Sequence, residues 1–485
     1  MYIVSKYFPS NNVKLIRDPI YKFIEVPYEF VQVIDIKYLQ RLRWVSQLPL
    51  EQLVYPSAQH SRFEHSIGTM YLSMLIAITL LNDDISKERI YNAIDDDPNT
   101  ENLKSDEMKN QFFVASAGLI GLLHDVGHAP FSHTLEDSLN YTKKDLNYNH
   151  ERVGFEIAKH IIRECYLSGP DSGDYKKVKE AVANTVLRVL NKDYKIEDLT
   201  FLQKILRSII DSSLDVDKGD YLLRDSYHCG VMYGYYDLER LWRNVRISED
   251  FTLGVSPKGA IETWSLRIAR YKMYKNVYTH HVRNITDAML IRILSEAFDK
   301  LDEEDIKKIL PIDDDSSKRL TDEILLNFSF WTDNLFLKEI LELEDNKYKD
   351  LNVKFWIENF LKRSLPKRYY ELKLEEFGIL KYDKQLFLKI KEELESINPE
   401  FTFIIFKNML PPVFTRDVQA DIKVITDNKE EQTLAEYLEF KIHENDLDKC
   451  IESSSMLEIF AFRPTEEDYK EQIKNKLEKI AKEYT

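Results

Sequence analysis

At 485 residues the chain is long enough for one large core with one or two smaller units. Its 44% hydrophobic and 31% charged residues exclude a disordered or fibrous chain. A formal net charge of -16 argues against non-specific nucleic-acid binding, which needs a broad basic surface to displace phosphate counterions. A polyphosphate ligand would therefore need local Lys and Arg or a metal ion.

Residues 13–27 alternate apolar and polar side chains on either side of Asp18-Pro19, a turn-forming dipeptide, and predict a β-hairpin. From Tyr28 to Leu48 the spacing becomes helical, with Val31, Ile34, Leu39 and Leu42 on one stripe and Gln40, Arg41 and Arg43 on the other, which taken alone reads as a solvated face. Ser61-Arg-Phe-Glu64 has the form of a capping box, so a helix is expected from Arg62 to about Leu81 with His65 in its first turn. The polar stretch 90–110, centred on Asp95-Asp-Asp-Pro98, reads as a loop insertion.

The next helix, about Gln111 to His124, is apolar nearly all round and so predicted to be buried. It delivers His124 and Asp125 side by side, a nitrogen and an oxygen donor that together suit a divalent ion such as Fe, Mn, Zn or Mg. Gly127 and Pro130 then break the helix and let His128 and His133 turn back. Asn149-His-Glu151 opens an amphipathic helix to about Cys165, residues 167–173 form a loop, and helices follow over about 176–190 and 201–212. Asp215, Asp217, Asp220 and Asp225 share a segment with Val216, Tyr221, Leu222 and Leu223, which marks it as half buried. Several carboxylates in one buried place need a cation.

A long helix is expected between Ile261 and Ile293, with Arg267, Arg270, Tyr274 and Tyr278 on one face. Guanidinium forks and aromatic walls suit a polyphosphate with a sugar or base, although a core stripe with snorkelling arginines fits the spacing equally. Beyond Lys300 come charged helices, a linker at Asp313-Asp-Asp-Ser-Ser317, strand-like runs at 401–406, 422–426 and 457–462, and a last helix over about 465–483.

With HSRFEHS at 60–66, HDVGHAPFSH at 124–133 and DVDKGDYLLRD at 215–225 in order, the chain resembles the HD-domain phosphohydrolases. More narrowly it resembles the deoxynucleoside triphosphate triphosphohydrolases, the branch that includes the metazoan SAM-and-HD-domain enzyme. The resemblance spans about Lys14 to Ile293. It implies a mainly α fold: an N-terminal hairpin and helix (1–50), an HD-domain helical core (51–300) and a smaller α+β C-terminal lobe (301–485).

It also implies a metal held by His65, His124, Asp125 and Asp217. His133 is expected as general acid oriented by Glu136, with His128, His150 and Glu151 holding the attacking water or the phosphates. Substrate contacts are expected from Gln47, Leu48, Arg62, Lys218, Tyr221, Asp225, Arg270, Tyr274 and Tyr278. Two departures stand out: Pro49 replaces the family's usual glycine, and Tyr274 replaces a histidine of the metazoan enzyme. Lys14, Asp35, Arg41 and Arg43 match a regulatory guanine-nucleotide (GTP or dGTP) site that lies between subunits, implying a homo-oligomer, a tetramer by analogy. The activity implied is dNTP plus water to deoxynucleoside plus triphosphate. A different HD phosphohydrolase, acting on a nucleoside monophosphate, a cyclic nucleotide or an RNA end, and a catalytically silent nucleotide sensor stay open.

The three cysteines, Cys165, Cys229 and Cys450, form no CxxC pair, as expected in a reducing compartment. Lys6 and Pro9 stand where a signal peptide would carry its apolar core, and the run Met70 to Leu81 is shorter than the ~20 residues of a spanning helix. A cytoplasmic protein without membrane contact is the expectation.

Overall fold

The structure, a computed structural model, describes residues 3–140, 142, 148–168, 173–311, 321–347, 353–373, 389–390, 392–394, 396–397, 403–408, 422–439, 455–461 and 469–484. The fold is mainly α, as expected, with small sheets at its margins. The hairpin is present: Val13–Asp18 (β1) and Lys22–Pro27 (β2) pair antiparallel, with Asp18 opposite Lys22. Asp18 closes the turn through its Oδ1, which accepts from the backbone N–H groups of Ile20 (2.8 Å) and Tyr21 (3.0 Å).

The single helix expected from Tyr28 to Leu48 is broken into Tyr28–Ile34 (α1), Lys37–Gln40 (α2) and a 3-10 turn, Arg41–Trp44. Ile36 is extended and redirects the chain between α1 and α2. The redirection turns Arg41 inward, where it is 2% exposed, lies over the Phe328 ring and donates to the carbonyls of Trp331 (2.8 Å), Val126 (3.2 Å) and His128 (2.6 Å). Arg41 is therefore not a solvated residue, which corrects the reading of a solvated face. Burial pulls its pKa down to about 10, so it remains charged at neutral pH.

Arg62–Leu81 (α3) starts at the expected capping box, with Glu64 Oε1 3.4 Å from both the backbone N and the Oγ of Ser61. By length and composition α3 could cross a membrane, but 83% of its most apolar window is buried inside the protein, which makes it the central core helix. The loop expected over 90–110 is confined to residues 96–105, between two helices. Asp84–Asp95 (α4) is capped by Asp83 and Asp106–Leu123 (α5) by Ser105, each accepting a backbone N–H of the first turn. Helices α3 and α5 pack side by side, and Thr69 Oγ1 donates to the Gly121 carbonyl at 2.8 Å.

His133–Asn140 (α6), His150–Ile161 (α7), Asp174–Leu190 (α8), Phe201–Ile210 (α9) and Val216–Cys229 (α10) complete the helical core. Residues 169–172 of the expected 167–173 loop lie outside the described residues. After Leu238–Trp242 (α11) come two short strands, Val245–Ile247 (β3) and Leu253–Val255 (β4). The long helix expected over 261–293 is Ala260–Met273 (α12), a π turn over Tyr274–Tyr278, and a separate His281–Lys300 (α13).

Beyond residue 300 the chain forms Glu303–Ile309 (α14), Asp322–Phe330 (α15), Asp333–Asn346 (α16) and Val353–Leu361 (α17). Strands Lys367–Lys373 (β5), Phe403–Asn408 (β6), Lys423–Ile425 (β7), Glu431–Thr433 (β8) and Ser455–Ala461 (β9) follow, then a helix Lys470–Tyr484. The expected linker at Asp313–Ser317, Cys450, and the ends of two expected strands at Phe401 and Phe462 lie outside the described residues. Strands β5, β9 and β6 form one antiparallel sheet. The other sheet runs β3-β4-β7-β8, with β7 parallel to β4 and Val255 opposite Val424. Backbone hydrogen bonds thus tie the C-terminal part into the core, and a boundary at residue 300 does not separate independent sheets.

Arg41 and Asp333 fix the C-terminal helices to the helical core. Asp333 accepts from the backbone N–H groups of Ser46 (2.9 Å) and Phe131 (3.0 Å). Arg41→Ala would leave three buried carbonyls without their donor and should destabilise the protein by roughly 3 kcal/mol, read as a lowered thermal midpoint.

Candidate metal centre and active-site cleft

Three helices converge on one buried cluster. The first turn of α3 contributes His65, the end of α5 contributes His124 and Asp125, and the start of α10 contributes Asp217. His65 Nε2 lies 3.0 Å from Asp217 Oδ1 and 3.8 Å from Asp125 Oδ2; His124 Nε2 lies 3.3 Å from Asp125 Oδ1 and 3.7 Å from Asp217 Oδ1. Each ring is held from behind, His65 Nδ1 by Asp220 Oδ2 and His124 Nδ1 by the Gly121 carbonyl, both at 2.9 Å.

Those outer bonds put the Nδ1 proton on each ring and aim Nε2 into the cluster, as in metal-bound histidines, whose other ring nitrogen donates to a carboxylate or carbonyl. Both Nε2 atoms are buried, and among the described residues neither has a partner in hydrogen-bond geometry, the Asp217 carboxylate lying close to both without meeting it. Burial opposes a charge on His65, yet the Asp217 and Asp220 carboxylates push its pKa up to about 10. Burial works against a charge on Asp217 too, but the His124 and His65 rings hold its carboxyl well below the usual carboxylate range. The cluster thus favours positive charge, and His65, His124 and Asp217, whose donor atoms lie within 4.8 Å of one another, fit a divalent ion, while Asp125 stands beside them paired with Arg62.

A second group of histidines adjoins it. Glu136 Oε1 accepts from the backbone N–H of His150 (2.7 Å) and faces His150 Nδ1 (2.8 Å), while its Oε2 is 3.0 Å from His133 Nδ1. Glu136 therefore orients both rings, not His133 alone. The carboxyl titrates far below its ordinary value because these two histidines outweigh its burial. His128 stacks on His150 at 4.0 Å, and its pKa is depressed by burial and by the neighbouring Arg62 and His150. Phe131 and Ser132, just before α6, both have positive φ (55° and 50°), a costly conformation for non-glycine residues. Asp333 holds Phe131, and Arg62 Nε donates to Ser132 Oγ at 2.8 Å. Gly127 allows the close approach: a Cβ there would strike the backbone of His150 and Gly154 at the start of α7.

Beside both groups opens a cleft of about 370 Å³. Gln47, Leu48, Arg62, Tyr221, Asp225, Arg270, Tyr274 and Tyr278 all line it, with Asp125, Asp217, His128, His133 and His150 at one end. Pro49, at the position of the family's glycine, lines it too. Arg62 Nη1 reaches Asp125 Oδ2 at 2.5 Å. Asp225 is 2% exposed and sits between Tyr278 Oη (2.6 Å) and His60 Nε2 (2.7 Å), so it fixes Tyr278.

Two expected residues stand apart. Lys218 Nζ is turned to Asp215 and to the Ser212 carbonyl (2.9 Å) and does not line the cleft. Glu151 lines a smaller cavity on another side of the cluster, 3.5 Å from Lys192. Of the expected regulatory residues, Lys14 and Asp35 are exposed, while Arg43 stacks over Phe63 beside a separate groove of about 960 Å³.

Sequence reading missed Arg283, which lines the cleft from α13 and pairs with Glu51 (3.4 Å) and Asp287 (3.1 Å). The break at Thr279-His280 takes Arg283 out of the helical spacing that marked Arg270, Tyr274 and Tyr278. His60, in HSRFEHS, carries no local signal for its role because its partner, Asp225, is 165 residues away.

Comparison with known proteins agrees with this arrangement. Residues 62–225 match the HD domain and residues 236–323 the HD associated region. An uncharacterized protein of Methanocaldococcus jannaschii is 32% identical over 381 residues, covering 76% of this chain and 67% of that protein. The chain belongs to the HD-domain phosphohydrolase family. A relative described as a deoxynucleoside triphosphate triphosphohydrolase SAMHD1 homolog, from Dictyostelium discoideum, is 30% identical over 65% of this chain, which spans only 56% of that protein's length. A crystallised phosphohydrolase of Bacteroides thetaiotaomicron shares the fold, with a TM-score of 0.64 at 23% identity over 93% of this chain and 100% of that one. Within the HD-domain family the chain is a hydrolase related to the SAMHD1 enzymes.

Asp217→Ala removes an anionic donor from the cluster, so metal content measured by elemental analysis should collapse while the circular dichroism spectrum is retained. Full occupancy in that variant would remove Asp217 from the ligand set.

Proposed function

We propose that this phosphohydrolase converts a deoxynucleoside triphosphate and water to a deoxynucleoside and inorganic triphosphate. The observation that carries the reading is the cleft itself, where Arg62 and Arg270 stand with Tyr221, Tyr274 and Tyr278 against one end of the His and Asp cluster. Its volume is within the usual range for small-molecule sites. Guanidinium forks suit a chain of phosphates and the tyrosines a sugar and base. A nucleoside monophosphate would leave part of that cationic lining unused.

A divalent ion (Fe, Mn, Zn or Mg) held by His65, His124, Asp125 and Asp217 would activate water and offset charge on the phosphoryl oxygens. Arg62 and Arg270 hold the phosphates, while Tyr278, fixed by Asp225, and Tyr221 wall the sugar. His133 gives a proton to the sugar 5′-oxygen as its bond to the α-phosphorus breaks and the bond from water forms. Glu136 keeps His133 and His150 turned toward the cleft.

Incubating the purified chain with each dNTP, nucleoside monophosphates, cyclic nucleotides and triphosphate-ended RNA, followed by product chromatography, tests the reading. Deoxynucleoside and triphosphate are expected. Monophosphate turnover alone, or no turnover by metal-loaded protein, would overturn it. Arg270→Ala should raise KM by about tenfold or more, the equivalent of ~1.5–3 kcal/mol for a charge-assisted hydrogen bond, with the metal retained.

The same reading includes control by a guanine nucleotide between copies of the chain, with Lys14, Asp35 and Arg43 as its contacts. Their accessibility supports it for all three, and Arg41 is left out because it is buried. Stimulation of non-guanine dNTP hydrolysis by GTP, lost in Asp35→Ala with metal content unchanged, is the expected result. Equal rates with and without GTP would remove the regulatory site.

A further inference from the structure

The hairpin turn is joined to the metal cluster by an unbroken run of buried hydrogen bonds. Asp18 Oδ2 accepts from Arg224 Nη1 at 2.8 Å, and Arg224 clasps Asp220 through Nε (2.8 Å) and Nη2 (2.9 Å). Asp220 in turn holds His65 Nδ1 at 2.9 Å, and Tyr21 Oη donates to Asp220 Oδ1, also at 2.9 Å. Asp18 is 7% exposed and Arg224, Asp220 and His65 are 0% exposed, so water does not replace any of these bonds.

The surroundings are shaped around the run. Gly68, on the face of α3 next to His65, has no room for a Cβ because Asp220 Oδ1 and Arg224 Nη2 occupy that space. Asp18 has its second oxygen committed to the turn, through Ile20 and Tyr21, so the backbone of the turn and the guanidinium of Arg224 are set by one carboxylate. Asp18 and Tyr21 both precede residue 62, where the HD-domain match begins.

We propose that the β1–β2 turn is a working part of the metal centre: Asp18 and Tyr21 are positioning residues that, through Arg224 and Asp220, set the orientation of the His65 ring toward the ion. The inference rests on the metal reading of the cluster. Asp220 carries a full set of donors only while the turn is docked. A turn that lifts away takes the Tyr21 bond from Asp220 and the Asp18 anchor from Arg224, which loosens the Asp220 carboxylate and with it the aim of His65 Nε2.

The test uses the full chain, stripped with chelator and titrated with Mn²⁺ by calorimetry, with release into excess chelator followed by Mn²⁺ resonance. Asp18→Asn keeps an oxygen for the turn but presents an N–H₂ group to Arg224. Outer-shell losses typically weaken metal binding by about 10–100-fold, so Asp18→Asn should raise the Mn²⁺ Kd by about tenfold and speed release. Tyr21→Phe, a milder change that also serves if Asp18→Asn does not fold, should raise it about threefold.

Arg17→Ala, which removes only the Arg17 stacking over Phe23 on the outer hairpin, should bind as the wild type does. Wild-type Kd and release rate in Tyr21→Phe and in folded Asp18→Asn would overturn the inference. So would an equal loss in Arg17→Ala, which would mark a general effect of hairpin stability. Failure of the wild-type chain to take up Mn²⁺ would overturn the metal reading as well, whereas uptake with unchanged variants overturns this inference alone.

Discussion

The organising constraint is the gathering of three carboxylates, buried Asp125 and Asp220 and half-buried Asp217, around two imidazoles at the meeting point of α3, α5 and α10. Buried anions are costly unless paired, and much of the fold around this point supplies pairing. Arg62 answers Asp125 and Arg224 answers Asp220. Asp217 faces the two histidine edges, with Lys218 turned away toward Asp215. The charge left to be compensated is therefore concentrated where the open Nε2 atoms point.

A second constraint is mechanical. The loop between α5 and α6 carries Asp125 and His128 and reaches His133, at the start of α6, through two consecutive left-handed residues, a shape it would not hold by itself. Arg41 grips its carbonyls at Val126 and His128, and Asp333 grips its N–H at Phe131. One clamp comes from the segment before the core and the other from the segment after it. The histidine-bearing loop is thus held in shape by parts of the chain that contribute no side chain to the His and Asp cluster.

Much of the site was legible because its chemistry is local. His124-Asp125, the capped start of α3 at His65 and the acid-rich start of α10 each announce themselves within a few residues. The hairpin was legible from alternation and a turn dipeptide. What sequence could not deliver depended on tertiary packing. Arg41 looked solvent-facing because its stripe was polar, and only the break at Ile36 turns it inward. The 90–110 stretch looked like a loop because polar composition hid two capped helices. Lys218 sat in the right motif, but its ammonium found Asp215 one turn away. Arg283 was invisible to a helical period that stops at Thr279.

The parallel pairing of Val255 with Val424 sets an order of events during synthesis. Strand β4 leaves the ribosome about 170 residues before its partner. At ~5–20 residues per second, that is on the order of 10–30 seconds with one edge of a nascent two-stranded ribbon open. An open strand edge is a template for pairing with another chain. The hydrolase core therefore passes through a period in which its helices can already pack but its sheet margin can still be captured, and any chain ending before residue 423 would keep that edge for life.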